Sequence, residues 1–126
     1  MSIAVPVEDL AGALAGRPYA YFLTVSDDGR PHAVAVVPEL RDGVLVLAVG
    51  RRTAANAVAR PTGVSLVWPP VELGGYSLIA DGAAEVRGDT VLVRPSKAVL
   101  HRPAPADAGP GAPGSCGSDC VSVDLP

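Results

Sequence analysis

The stretch Val44-Leu45-Val46-Leu47-Ala48-Val49-Gly50-Arg51-Arg52-Thr53-Ala54-Ala55-Asn56 decides how this chain is read. Its first six residues are continuously apolar, the pattern of a strand buried on both faces. Gly50 then turns the chain. Thr53 to Arg60 reads as a short helix, with Thr53 as N-cap, Arg60 suited to the last turn and Pro61 as the stop. Two arginines therefore stand between the end of a buried strand and a helix N-terminus. Free N–H groups at a helix start attract anions, and arginine adds planar, charge-assisted hydrogen bonds to phosphate. The Thr53 hydroxyl is placed either to cap the helix or to touch the anion. The alternative reading of Arg51 and Arg52 is a solvated surface pair with no ligand.

Upstream of that stretch, Val7, Leu10, Ala11 and Leu14 fall at the spacing of one helix face. Tyr19 to Val25 is rich in aromatic and β-branched residues and reads as a strand. Asp28-Gly29 signals a hairpin turn. His32 to Leu40 reads as a second strand, with Pro38 marking a bulge or an edge, and Arg41-Asp42-Gly43 is another tight turn. Downstream, Gly63 to Trp68, Tyr76 to Val86, and Thr90 to Arg94 continuing through Lys97 to His101 supply three more strands. Short loops make neighbours antiparallel, and six strands in so small a body tend to close on themselves. A barrel interior buries only one face of each strand, so the strands without a polar face need cover outside. A homodimer is the expected source.

Composition bounds the function. The 126 residues suit one core. They are 48% apolar but only 4% aromatic, so valine, alanine and leucine must fill that core. A net charge of −3 argues against phosphate neutralisation along a nucleic acid. No apolar run approaches the roughly 18 residues of a membrane span, and Met1 to Pro6 lacks the pattern of a secretory signal. A cytoplasmic protein acting on a small molecule is expected, with no membrane or nucleic-acid partner. From Pro103 to Gly114 eleven of twelve residues are Pro, Ala or Gly, which divides the chain into a body, 1–102, and a flexible tail, 103–126. Cys116 and Cys120 lie in that tail at C-x3-C spacing. Two thiolates do not complete a tetrahedral zinc site, so no metal is expected. His32 and His101 have no evident partner for a catalytic dyad.

Three segments together resemble the flavin-binding split-barrel family related to pyridoxamine 5'-phosphate oxidase. They are Tyr21 to Val25 with Asp28-Gly29-Arg30-Pro31-His32, Val44 to Val49 with Arg51-Arg52-Thr53 and Asn56, and Gly63 to Pro69. The resemblance covers about residues 8–102. It implies a mainly β fold, a six-stranded antiparallel split β-barrel with short flanking helices, dimeric, with a flavin mononucleotide (FMN) site at each end of the interface. It implies that Val34, Ala35, Val36 and Val37 line the flavin ring through their backbone. Ala48 and Val49 would lie beside the ribityl chain and phosphate, and Arg51, Arg52 and Thr53 would grip the phosphate. Asn56 matches a helix asparagine common in the family, expected to be structural. Thr53 stands where the family's lysine is usual. The substrate-contacting arginine and histidine of the vitamin oxidase have no match in 103–126. The implied function is therefore an FMN-dependent oxidoreductase of another substrate. The alternatives are a reductase using the deazaflavin coenzyme F-420, or a non-catalytic flavin- or ligand-binding protein.

Overall fold

Apolar alternation along most of the strands builds a single antiparallel sheet. The structure, a computed structural model, describes residues 1–104. Strand β1 (Ser2–Val5) leads into a 3-10 turn (Val7–Asp9) and helix α1 (Leu10–Leu14). Four strands follow: β2 (Ala20–Val25), β3 (Pro31–Val36), β4 (Glu39–Arg41) and β5 (Val44–Ala48). Helix α2 (Arg51–Ala59) then precedes β6 (Val64–Trp68), β7 (Ser77–Arg87) and β8 (Thr90–His101). No helix among these residues is long and apolar enough to cross a membrane.

The strand order is β3-β2-β6-β7-β8-β5-β4, with β1 paired to β8 beside this path. Its two end strands, β3 and β4, are consecutive in sequence and separated only by Val37-Pro38. Three Cα steps join Val36 to Glu39, so the ends lie within about 11 Å of each other. The sheet has to curl into a barrel to meet that limit. No backbone ladder joins β3 to β4 or β5, so the barrel stays split along that line.

Among the described residues there are eight strands, not six. Strand β1 draws its order from pairing with β8, Ser2 opposite His101 through Val5 opposite Ala98; nothing local marks it. The expected strand from His32 to Leu40 is divided in two, because Pro38 has no N–H to give to a ladder. Conversely β8 runs unbroken through Pro95. That residue falls where β8 changes neighbours, from β5 at Thr90–Val93 to β1 at Ala98–His101, and opposite an irregularity between Asp81 and Gly82. Strand β5 is buried on one face only: Leu45 and Leu47 are enclosed while Val44 and Val46 are half-buried. The first helix is shorter than its apolar face predicted, since its opening turn is 3-10.

The core fills the barrel with the inward face of each strand. Phe22, Leu66, Trp68, Leu78, Val91 and Val93 have almost no exposure, and Leu10 of α1 joins them. At the β4–β5 turn, Asp42 and Gly43 have φ of 50° and 79°. That pair of left-handed residues makes the tight hairpin whose twist suits the strands. At the β2–β3 turn, Ser26 Oγ donates to Asp28 Oδ1 and holds that carboxyl below its usual range. A depressed carboxyl contributes stability above its unfolded pKa and loses it as pH falls through the folded value. Ser26→Ala should raise the Asp28 pKa back towards the ordinary aspartate range, read by NMR titration of the side-chain carboxyl.

Candidate functional site

The split leaves a cleft whose walls come from both sides of the opening. Its volume is about 440 Å³, and it is lined by Val34–Val36 of β3 and by the run Ala48–Thr53. That volume is ordinary for a small-molecule site. Strand β3 pairs only with β2, so its other edge is free and offers backbone donors and acceptors along one wall. The opposite wall is fixed by the end of β5, where the Val49 N–H donates to the Asp89 carbonyl at 2.9 Å.

The floor is the start of α2. Helix α2 begins at Arg51, two residues earlier than the sequence predicts, so both arginines lie inside the first turn and Gly50 is the N-cap. Thr53 is not the cap. Glycine has no side chain to cap with, and no side-chain cap bond forms. The first bond of the helix runs from the Ala54 N–H to the Gly50 carbonyl at 3.0 Å. The N–H groups of Arg51, Arg52 and Thr53 therefore have no backbone acceptor among the described residues. Thr53 is 3% exposed, and its hydroxyl takes part in no hydrogen bond among the described residues, yet it lines the cleft. Arg51 and Arg52 are exposed, and no carboxylate among the described residues pairs with either.

This arrangement is electrostatically unfavourable on its own. Cations in a first turn oppose the helix dipole by about 0.3–1 kcal/mol each, and α2 has no acidic residue there to offset them. The start of α2 thus brings three backbone donors, a hydroxyl and two arginine residues to the lining of an otherwise apolar cleft. A tetrahedral dianion with an apolar body satisfies that donor set.

Eight of the nine residues expected from the sequence, Val34, Ala35, Val36, Ala48, Val49, Arg51, Arg52 and Thr53, share this cleft. Val37 does not line it. It sits past the end of β3 and is 71% exposed. Gly50 lines the cleft and was missed, although its place before the arginines was the available signal. His32 does not line the cleft. His101 Nδ1 lies 3.0 Å from Ser2 Oγ on the exposed β1–β8 edge. No group of three His, Cys, Asp or Glu among the described residues is placed to hold a metal. Cys116 and Cys120 fall outside the described residues.

An antiparallel barrel split beside a cleft that ends on a helix N-terminus defines the split-barrel class, and solved structures agree. The chain is similar to an F-420 reductase (TM-score 0.56, 21% identity, 68% of this chain and 93% of the other). It is similar to an FAD-binding protein of Mycobacterium smegmatis (TM-score 0.59, 16% identity, 81% and 100%). It is also similar to a pyridoxamine 5'-phosphate oxidase-related, FMN-binding protein of Nostoc punctiforme (TM-score 0.51, 17% identity, 62% and 46%). No family model matches the chain. Uncharacterized proteins of Mycobacterium bovis and Mycobacterium tuberculosis are each 42% identical to it over 139 aligned positions, covering 97% of this chain and 96% of theirs. The chain belongs to one family with these mycobacterial proteins, and its fold is the split barrel of pyridoxamine 5'-phosphate oxidase-related proteins.

Proposed function

We propose that the cleft binds FMN and that the protein is an FMN-dependent oxidoreductase acting on a small molecule. The observation that carries this reading is the uncapped first turn of α2, with arginines that pair with no carboxylate among the described residues and the accessible hydroxyl of Thr53 at the lining of an apolar cleft. Arg51, Arg52, Thr53 and the three free N–H groups hold the phosphate. The free edge of β3 at Val34–Val36 lies along the ring. When bound, the flavin supplies the hydride and electron chemistry. The chain's part is to bind, orient and exclude water, and no carboxylate or imidazole lines the cleft. The phosphate donors would serve the deazaflavin F-420 equally well. One of the similar structures is an F-420 reductase, so that coenzyme is the second reading.

The flavin-loaded protein, mixed with NADH or NADPH and then with candidate acceptors, tests the catalytic half. Bleaching of the flavin followed by acceptor-dependent recovery supports an oxidoreductase. A loaded flavin that no nucleotide reduces, or that no acceptor reoxidises faster than buffer does, favours a binding protein.

The reading includes a homodimer, supported by the outer face of the barrel. Ala35, Tyr21, Val67, Ile79 and Val99 are successive cross-strand neighbours over β3-β2-β6-β7-β8. They form an apolar row on the side away from the core, and Tyr21 is 41% exposed. A row of that kind is an interaction surface. Ile79→Arg should yield a monomer by light scattering, with an unchanged far-ultraviolet circular dichroism spectrum. A dimer that persists in this variant places the interface elsewhere.

A further inference from the structure

Helix α2 carries the anion donors but has little apolar grip on the barrel. Its buried residues are Thr53, Asn56 and Ala57, so two methyls, those of Thr53 and Ala57, are the apolar part of that stripe, and Val58 is 65% exposed. Hydrophobic contact is non-directional, and two small methyls do not fix how far a helix is rotated. A hydrogen bond is directional. Asn56 Nδ2 donates to Thr24 Oγ1 at 3.1 Å, and both side chains are buried.

Thr24 is a fixed reference point. It is 1% exposed, inside the barrel, on β2, which pairs with β3 on one edge and β6 on the other. One other tie of this region, from the Val49 N–H to the Asp89 carbonyl, holds the strand end before Gly50, and two more hold the far end of the helix. Arg60 Nη1 meets Asp27 Oδ1 at 3.0 Å on the surface, and the Ala84 N–H meets the Pro61 carbonyl at 2.7 Å. Neither reaches the first turn. Asn56 lies three residues from Thr53. At about 100° per residue, the two side chains share one face of α2. The rotation that satisfies Asn56 is therefore the rotation that turns Thr53 towards the cleft.

We propose that Thr24 and Asn56 are positioning residues for the anion site: their buried hydrogen bond sets the rotation of α2 and so aims Thr53 and the first-turn N–H groups at the phosphate. This rests on the FMN reading above. The pair is a register device rather than a source of stability. Replacing one partner strands a buried polar group, whereas replacing both with apolar groups of similar shape is close to neutral for folding.

The test measures FMN and riboflavin affinity in the full chain, because the two ligands differ only in the phosphate. The readout is the ratio of riboflavin Kd to FMN Kd. Thr24→Ser keeps the acceptor and should keep the wild-type ratio. Thr24→Val, and the double variant Thr24→Val/Asn56→Leu, should lower that ratio on the order of tenfold, as loss of a supporting hydrogen bond does elsewhere. The double variant should regain most of the denaturant resistance that Thr24→Val loses. Should Thr24→Val fail to fold, the double and serine variants still decide. A double variant that keeps the wild-type ratio shows the pair to be merely structural and overturns the proposal. A wild-type protein that binds FMN and riboflavin equally overturns the phosphate reading, and this proposal with it.

Discussion

Arg52→Glu should weaken FMN binding about 100-fold or more while leaving the fold intact. Charge-assisted hydrogen bonds are worth about 1.5–3 kcal/mol each, and every 1.4 kcal/mol is about tenfold in affinity. Reversal removes the guanidinium donors and sets a carboxylate against the phosphate. The variant also has a signed effect on stability. A glutamate in the first turn of α2 favours the helix dipole where the arginine opposes it. The melting temperature of the unliganded variant should therefore hold or rise. Riboflavin has no phosphate, and its affinity should change by about twofold at most, since Arg52 is exposed in the first turn of α2. Parallel fluorescence titrations with the two ligands check this. Equal losses for both would mean that Arg52 acts on the ring or on the fold.

Gly82→Ala should cost about 3 kcal/mol or more, read as a shift in the urea midpoint. Gly82 is buried on β7 opposite Pro95, where the register with β8 slips. A Cβ there would collide with the Arg94 carbonyl oxygen, and Val93 Cγ1 lies only 2.9 Å from its position. The obstruction is backbone, so no rotamer change relieves it. Strand β8 pairs with β1, β5 and β7, so displacement at this crossing propagates across the sheet. Gly12 is a useful control: nothing lies within 4 Å of a Cβ there, and Gly12→Ala in α1 should be neutral or stabilising by about 0.5–1 kcal/mol.

The parts of the fold legible in the sequence are those written in local pattern. The hairpin at Arg41-Asp42-Gly43 is one, because Asp-Gly is the cheapest way to place two residues at positive φ. The strand, glycine, two arginines and helix that form one wall and the floor of the cleft are another. What was hidden depends on partners far along the chain. Strand β1 exists because His101 and its neighbours lie opposite it. The one-sided burial of β5 depends on which face the closed barrel turns inward, which an all-apolar run does not encode. The helix start moved from Thr53 to Arg51 because Gly50 closes the first bond through its carbonyl, a backbone event with no side-chain signature. The Thr24–Asn56 bond joins residues on different elements, and only the fold brings them together.

The central claim is that the cleft beside β3 and the start of α2 is a flavin-phosphate site. Titration of the purified protein with FMN, followed by quenching of flavin fluorescence and with riboflavin and F-420 run in parallel, tests it most directly. The account predicts saturation at one FMN per chain, with FMN bound more tightly than riboflavin. Saturation by F-420 alone would keep the anion site and change the cofactor. No saturable binding of either FMN or F-420 would contradict the account and return Arg51 and Arg52 to a solvated surface pair.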